Sequence, residues 1–376
     1  MDKKFVMGIA AMAALTLVSC SSDDLDSFSD NSSKNEAISF DGYLGRSAVA
    51  VNGTRGSVET KKTLETNGFG VFSTYTGNPA SFSNFDNKKV TGQTSNVGGN
   101  TVTKWTYTPL KFWPTQGKIN FFAYAPFKDG QQLNENIHTF DFTVDKDIAK
   151  QIDLLWANAK DKAKTDKEPV KFTFYHALSR IGYTVKLYGD YSSTDATNKA
   201  NFKLNHIILA GSADGNTPAF YSKATIDLSK DPKNEDPWSN QSSSDKRKFD
   251  WISTPQDLNS TTPYYYPKVD EQERKDYLFV IPQDFSEKIG EAVNPDKLYV
   301  IVDYTITYSD NTTQTNKVYK KLPIKFERGK AYMLNMTIGL PIEFDVDVET
   351  ATSVGVDDWH KEPDNNIDSW DDIKHE

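Results

Sequence analysis

The sequence predicts an all-β protein, and three observations carry that prediction. Aromatic residues make up 12% of the chain, and such rings favour strands. Thr, Ser, Asn and Gly fill the intervals between apolar runs, as polar turns joining short strands do. Apolar residues recur mostly at a two-residue period, and helical spacing is scarce. A chain of 376 residues has room for two cores once a leader and a tether are set aside. No repeat of fixed period stands out, which argues against a solenoid or propeller.

Residues 1–19 read as a secretory leader, with basic Lys3 and Lys4 ahead of an apolar run from Phe5 to Val18. That run is shorter than the roughly 20 residues a spanning helix needs, so it is expected to be removed rather than retained as an anchor. Leu17-Val18-Ser19-Cys20 looks like a bacterial lipobox, which makes Cys20, the only cysteine, the lipidation site and the first mature residue. The alternative is an ordinary signal peptide with an incidental cysteine. One cysteine leaves no disulfide framework to explain it otherwise. Each buried acyl methylene contributes about 0.8 kcal/mol, so several chains would hold the protein on a bilayer. Residues 20–36 are an acidic, Ser-rich tether whose composition cannot form a core. The run Ser21–Asp26 resembles the acidic post-cysteine signal that sends Bacteroidales lipoproteins to the outer face of the outer membrane, with a plain acidic linker as the other reading.

Ala37 to Leu44 is expected to be a half-buried strand, because Ile38, Phe40 and Leu44, with Gly42 between them, fall on one side of a two-residue period. A turn-rich stretch with Arg46, Asn52-Gly53, Arg55 and Gly56 follows. Phe69–Tyr75 is a second strand and Gly77–Asn100 a polar loop. Trp105–Tyr107 resumes the alternation, Phe112-Trp113-Pro114 closes it, and Lys118–Pro126 is a strand ended by proline. Asp147 to Lys160 is the one segment with helical spacing, through Ile148, Ile152, Leu155 and Trp156. Phe172, Phe174, Ile181, Tyr183, Val185 and Leu187 mark strands around a domain junction near Leu178, giving domains over 37–178 and 179–340. Further strands are expected at Phe202–Leu209, Ala219–Leu228, Tyr277–Ile281, Lys297–Tyr308, Lys317–Phe326 and Ala331–Ile338.

Acidic groups outnumber basic ones by 52 to 43, a formal charge of −9, which argues against nucleic acid as a partner because phosphate binding needs a basic face. The excess is local. Residues 341–376 hold twelve Asp/Glu and two Lys, so this tail is a distinct element. Within it Ile342, Phe344, Val346 and Val348 alternate strictly with Glu343, Asp345, Asp347 and Glu349, and Val354, Val356 and Trp359 form a weaker extended candidate.

No motif of catalysis emerges. His138, His176, His206, His360 and His375 are scattered without the spacing of a zinc site. A Gly-x-Ser-x-Gly elbow, a P-loop, a dinucleotide fingerprint and an EF-hand loop are all absent from the sequence, so neither a metal site nor a cofactor is expected. Asp145-Lys146-Asp147 and the tail offer at most weak calcium binding. Carboxylates abundant enough to include a glycosidase pair are ordinarily just solvated. Between Ser229 and Lys268 lies a stretch longer than the usual ceiling of about 12 to 15 residues for an unstructured loop, and such loops tend to carry function. It displays Trp238, Trp251 and Tyr264-Tyr265-Tyr266, rings that either stack on sugars or anchor a protein contact, or else pack at a strand edge with alternate tyrosines inward.

As a set, these elements resemble the fimbrillin family of the Bacteroidales, the subunits of type V pili. The set comprises the lipobox at Cys20; Ile38-Ser39-Phe40; Arg46 and Arg55; Asn67-Gly68-Phe69-Gly70-Val71-Phe72; Phe112-Trp113-Pro114; and Ile119-Asn120-Phe121-Phe122-Ala123-Tyr124-Ala125-Pro126. It continues with Phe174-Tyr175-His176-Ala177-Leu178-Ser179-Arg180-Ile181, with Arg328-Gly329-Lys330-Ala331-Tyr332, and with Trp359. The resemblance implies two transthyretin-like β-sandwich domains, no catalysis, other fimbrial subunits as partners, and a host or bacterial surface protein or glycan as a further one. It also implies that a protease cutting after Arg46 or Arg55 removes the anchor with the strand Ile38–Leu44, and that the vacated groove accepts another subunit's strand. Ile342, Phe344, Val346 and Val348 are the donor candidates, the alternative being the last strand of the chain's own second domain. A different class of function, a permanently anchored glycan-binding surface lipoprotein, would use the aromatic loop instead.

Overall fold

The computed structural model describes residues 36–43, 59, 61–97, 100–166, 168–192, 199–242, 244–258, 265–267, 276–287, 294–340 and 343–352. Leader, lipobox, tether and the segment carrying Arg46 and Arg55 lie outside the described residues, as do Ile342, Tyr264 and Trp359.

The first half of the chain forms β1 (Phe40–Tyr43), α1 (Lys61–Asn67), β2 (Phe69–Tyr75), β3 (Lys88–Val97), β4 (Asn100–Thr106), β5 (Ile119–Ala125), β6 (Thr139–Thr143), β7 (Leu155–Lys162) and β8 (Val170–Thr173). The second half adds β9 (Ser179–Leu187), β10 (Ala200–Ala210), β11 (Lys223–Asp227), β12 (Tyr299–Tyr308), β13 (Thr313–Lys321), β14 (Lys330–Gly339) and β15 (Glu343–Thr352). The all-β prediction holds.

A sheet in the order β4-β3-β2-β5-β7, closed by the short strand Tyr175–His176, is the wall of the molecule. Its middle strands are buried on both faces. β5 sends Phe121, Ala123 and Ala125 into a first core, and Phe122 and Tyr124 into a second. β2 divides likewise, Phe69 and Val71 against Phe72, and so does β7, Leu155 and Ala157 against Trp156. Burial on both faces is why Ile119–Ala125 reads as a nearly unbroken apolar run.

Two sheets sandwich the second core. One runs Tyr265–Tyr266, β9, β14, β15, with Leu278–Val280 also on β9; the other runs Phe249–Asp250, β10, β12, β13, with Gln256–Asp257 also on β10. Ile181, Tyr183 and Val185 from the first sheet meet Phe202, Leu204, Val300, Val302 and Tyr304 from the second in one buried cluster. The chain thus has two cores, but they share the β2-β5-β7 wall. β6 moreover pairs with β11, Phe140 opposite Ile226, across the junction expected near Leu178.

Three local expectations need correction. Asp147–Lys160 is not a helix: Ile148–Lys150 is a single 3-10 turn and Leu155–Lys162 is β7. A strand buried on both faces imitates helical spacing, since residues of either parity are apolar. Gly77–Asn100 is not wholly a loop, because β3 occupies its second half and pairs with β4; the polar Thr, Gln and Ser of β3 sit on an exposed hairpin. The turn-rich stretch before Phe69 contains α1, which buries Leu64 and ends at Gly68. Gly68 has φ +76°, and its N–H donates to Leu64 O at 2.8 Å, a left-handed helix stop.

Candidate functional site: the leading strand and its groove

β1 lies against the first core as a separate two-stranded ribbon, parallel to β8, with Phe40 opposite Val170 and Asp41 opposite Lys171. Its side chains alternate as the sequence requires: Ile38 is 1% exposed and Phe40 4% exposed, while Ser39 faces out. The Phe40 ring sits in a box of rings. Tyr107, Phe85 and Phe121 lie at centroid distances of 5.3, 5.4 and 5.6 Å, and Phe172 stacks at 5.7 Å. Burial of two such side chains contributes about 3 to 6 kcal/mol, most of the hold on so short a strand.

Hydrogen bonds also fasten the residues that lead into β1. Ile38 N–H donates to Lys111 O at 2.8 Å, and Tyr107 Oη–H donates to Ile38 O at 2.7 Å. Val170 N–H donates to Ser39 O at 2.8 Å. Partial burial pushes the Tyr107 phenol above its ordinary value, so it stays a donor at any physiological pH. Lys111 fixes this wall by donating through Nζ to Ser83 O and Asn84 O, both at 2.8 Å, with its ammonium 5.3 Å above the Phe85 ring. Gly42 runs beneath Trp105, whose Cζ2 would lie 2.9 Å from any Cβ placed there.

Removal of residues 38–43 would therefore leave a trough floored by Phe85, Phe121 and Phe172, with Val170 N–H unpaired. Such an edge invites a replacement strand.

Glu59 is the next described residue after β1. Its N–H donates to Asp153 Oδ2 at 3.0 Å, and Asp153 Oδ1 meets His176 Nδ1 at 2.8 Å with both side chains fully buried. Glu59 Oε2 accepts from Thr63 Oγ1 at 2.8 Å, and burial pushes its carboxyl up to about 7. This node fastens the chain where it enters α1. A lone Glu in a polar stretch gives no sequence signal for it, and His176 stands out in the sequence only as one of five scattered histidines and within the run Phe174–Ile181.

The tail strand is β15. It runs antiparallel to β14 along its length, Phe344 opposite Ile338 and Val348 opposite Leu334, and forms an edge of its own sheet. Val346 is buried, Phe344 and Val348 are half-buried, and Asp345 and Asp347 are exposed, as the alternation predicts. Lys320 on β13 reaches across to Asp345 Oδ1 at 2.7 Å and Val346 O at 2.9 Å.

Burial corrects the aromatic-loop reading at its two tryptophans. Trp238 is packed in the second core and its Nε1–H donates to Ala177 O at 2.7 Å; Trp251 is also buried, donating to Asp276 O at 2.9 Å. Tyr266 is half-buried and its ring lies 6.2 Å from that of Tyr183. Tyr265 belongs to the same short strand on β9. The two tryptophans spend their polar atoms inside the fold, which is where a loop spanning a large core finds its partners. Among the described residues, no group of His, Cys, Asp and Glu is placed to hold a metal ion, and no helix is long and apolar enough to cross a membrane.

A family model described as fimbrillin-like matches residues 54–359. Fimbrium subunit Fim1C of Phocaeicola vulgatus is 28% identical over 193 residues, covering 46% of this chain and 49% of the relative. The match thus spans about half the length of that relative. Among solved structures, a candidate cell adhesion protein of Bacteroides uniformis is similar with a TM-score of 0.44 at 15% identity, over 84% of this chain and 98% of the other. A fimbrial assembly protein of Parabacteroides distasonis gives a TM-score of 0.37 at 11% identity, over 78% and 96%.

Proposed function

The chain belongs to the fimbrillin-like family, and on that premise we propose that it is a non-catalytic fimbrial subunit or accessory component that reaches the cell surface as a lipoprotein and is incorporated by strand exchange. Cys20 carries the anchor to the outer membrane. A protease cutting after Arg46 or Arg55 releases the anchor together with β1, and the emptied groove receives a strand from a neighbouring subunit. The assembled fibre serves adhesion to a surface protein or glycan.

The observation that carries this reading is the way β1 is held. Phe40 is a core residue by burial, yet it belongs to a four-residue strand whose ladder partner is β8 alone, in parallel, and Ile38, also buried, lies just ahead of that strand. A segment that fills a core without being woven into its main sheet is replaceable by another segment of like pattern, by β-augmentation. Family membership supplies the context, and Fim1C carries a fimbrial name.

Digestion of the purified precursor with an Arg-specific protease, followed by electrophoresis without boiling, tests it. A ladder of detergent-resistant multimers is expected, and it should vanish in the double variant Arg46→Ala, Arg55→Ala. A digested product that stays monomeric rules the reading out.

A further inference from the structure

We infer that the short ribbons and the loop around Tyr221, Gln241 and Asp296 form a binding cleft for an uncharged oligosaccharide. This rests on the adhesive role proposed above and gives that role a place in the fold and a ligand class.

Two short ribbons build the cleft. Phe220–Tyr221 pairs with Lys246–Arg247, and Gln283–Asp284 pairs with Lys325–Phe326. Phe220, Phe285 and Phe326 point into the second core, with ring centroids 5.5 to 6.1 Å apart, while Tyr221 and Asp284 are half-buried and Lys325 is exposed. A cavity of about 540 Å³ lies between these ribbons and residues 234–241, within the roughly 300 to 1,000 Å³ of small-ligand clefts. A second, of about 350 Å³, adjoins it, and Asp296 lines both.

The partition between the two is fixed from three sides. Asp296 Oδ1 accepts from Lys246 Nζ, and its Oδ2 accepts from Gln283 Nε2 at 3.0 Å and Tyr221 Oη at 3.2 Å. Gln283, itself buried, also accepts the Tyr221 N–H at 3.1 Å and donates to Ala219 O at 3.0 Å, so one amide ties the two ribbons together. Arg328 fixes another wall. Its guanidinium lies 5.1 Å from the Trp156 ring centroid and donates to Pro232 O at 2.9 Å and Lys233 O at 3.2 Å. A cleft set in place before its ligand arrives spends little free energy on ordering.

Charge and polarity select the ligand. The first cavity sets Asp236, Asp284 and Glu327 against Lys325 and Arg328. The second adds Lys246 and Lys297, with Asp296 common to both. Acids and bases thus balance, leaving no net field to recruit a sialylated, sulfated or phosphorylated group, or a strongly basic one. Apolar side chains contribute little to the first cavity beyond Phe326 and Pro282, whereas a peptide contact is anchored on apolar or aromatic side chains in fitted pockets. The groups that remain are donors and acceptors, among them the exposed amides of Asn234 and Gln241 and the Tyr221 hydroxyl. A sugar hydroxyl both donates and accepts, so an uncharged polyhydroxyl chain answers groups of either kind. The stretch from Ser229 to Lys268 therefore meets its ligand through Asn234, Asp236 and Gln241, while its tryptophans hold the fold.

The purified full chain is applied to an array of short uncharged oligosaccharides, with sialylated and sulfated glycans and a peptide library beside them. Retention on an uncharged oligosaccharide is expected, and it should persist as salt rises from about 0.05 to about 0.5 M, since no ion pair with the ligand is screened. The double variant Asn234→Ala, Gln241→Ala changes two exposed residues outside the strands. It should keep its unfolding midpoint and weaken retention about tenfold, the loss of two hydrogen bonds of ordinary strength. Lys203→Ala, on β10, should change nothing. Retention of charged glycans or peptides alone, retention lost at high salt, equal retention by the double variant, or none at all overturns the cleft. The Arg-specific digestion is repeated on the double variant, where a normal ladder is expected. An intact ladder without sugar binding overturns the cleft and leaves strand exchange standing; sugar binding without a ladder does the reverse.

Discussion

Phe40 and Glu59 show how single residues decide the behaviour of the leading segment. Phe40→Ala empties a box whose walls are fixed by Lys111 and the wall sheet, so little collapse can compensate, and a loss of about 3 kcal/mol is expected in the protein's unfolding free energy. A shift in denaturant midpoint at unchanged slope would show it. Glu59 works through its proton. Burial raises its carboxyl from 4.5 to about 7 in the folded state, with Asp153 adding to the rise and the bonds from Thr63 and Asn67 opposing it. Folding therefore takes up a proton between those values, and stability falls as pH rises from about 4.5 to about 7, then levels off. Glu59→Gln should flatten that limb. Near pH 5 the variant should match the parent, and at pH 8 it should be more stable by an amount on the order of 3 kcal/mol at most. Urea titrations at the two pH values check this; equal differences at both would contradict it.

At the scale of elements, the hold on each strand follows from what it can pair with. α1 ends where Gly68 turns left-handed, and a Cβ there would lie 2.5 Å from Val90 O. Gly68→Ala therefore strains the backbone and pushes β3 away, and a cost of about 1 to 3 kcal/mol is expected in thermal or chemical unfolding. β15 presents the opposite case. The Lys320–Asp345 pair that crosses to it is half-exposed at both ends, 44% and 62%, so Lys320→Ala should change stability by less than about 1 kcal/mol. Its effect should lie in the rate at which the tail leaves its sheet, read as faster hydrogen exchange along Phe344–Val348 than along β14.

For the whole molecule, the wall sheet is the decisive feature. Phe121 and Phe122, adjacent in sequence, belong to different cores. Neither core keeps its floor if the other melts, so a single calorimetric transition with matching van't Hoff and calorimetric enthalpies is expected. Two resolved transitions would mean that the wall belongs to one core alone. β1 stands outside the wall, in a separate ribbon with β8, so its departure from the first core would break no strand of that sheet.

Much of this was legible along the chain. The all-β class, a strand within Ala37–Leu44, the alternation of the tail and the run Ile119–Ala125 follow from side-chain periodicity, a local property fixed along the chain. The helix mistakenly expected at Asp147–Lys160, the hidden β3 and the inward-facing Trp238 and Trp251 were decided only by the tertiary structure. Each depends on what lies on the second face of a segment: Trp156 in one core and Leu155 in the other, or the Ala177 carbonyl waiting for Trp238. A period records which residues share a side. It carries no record of what the fold, closing from distant parts of the chain, brings to the opposite one.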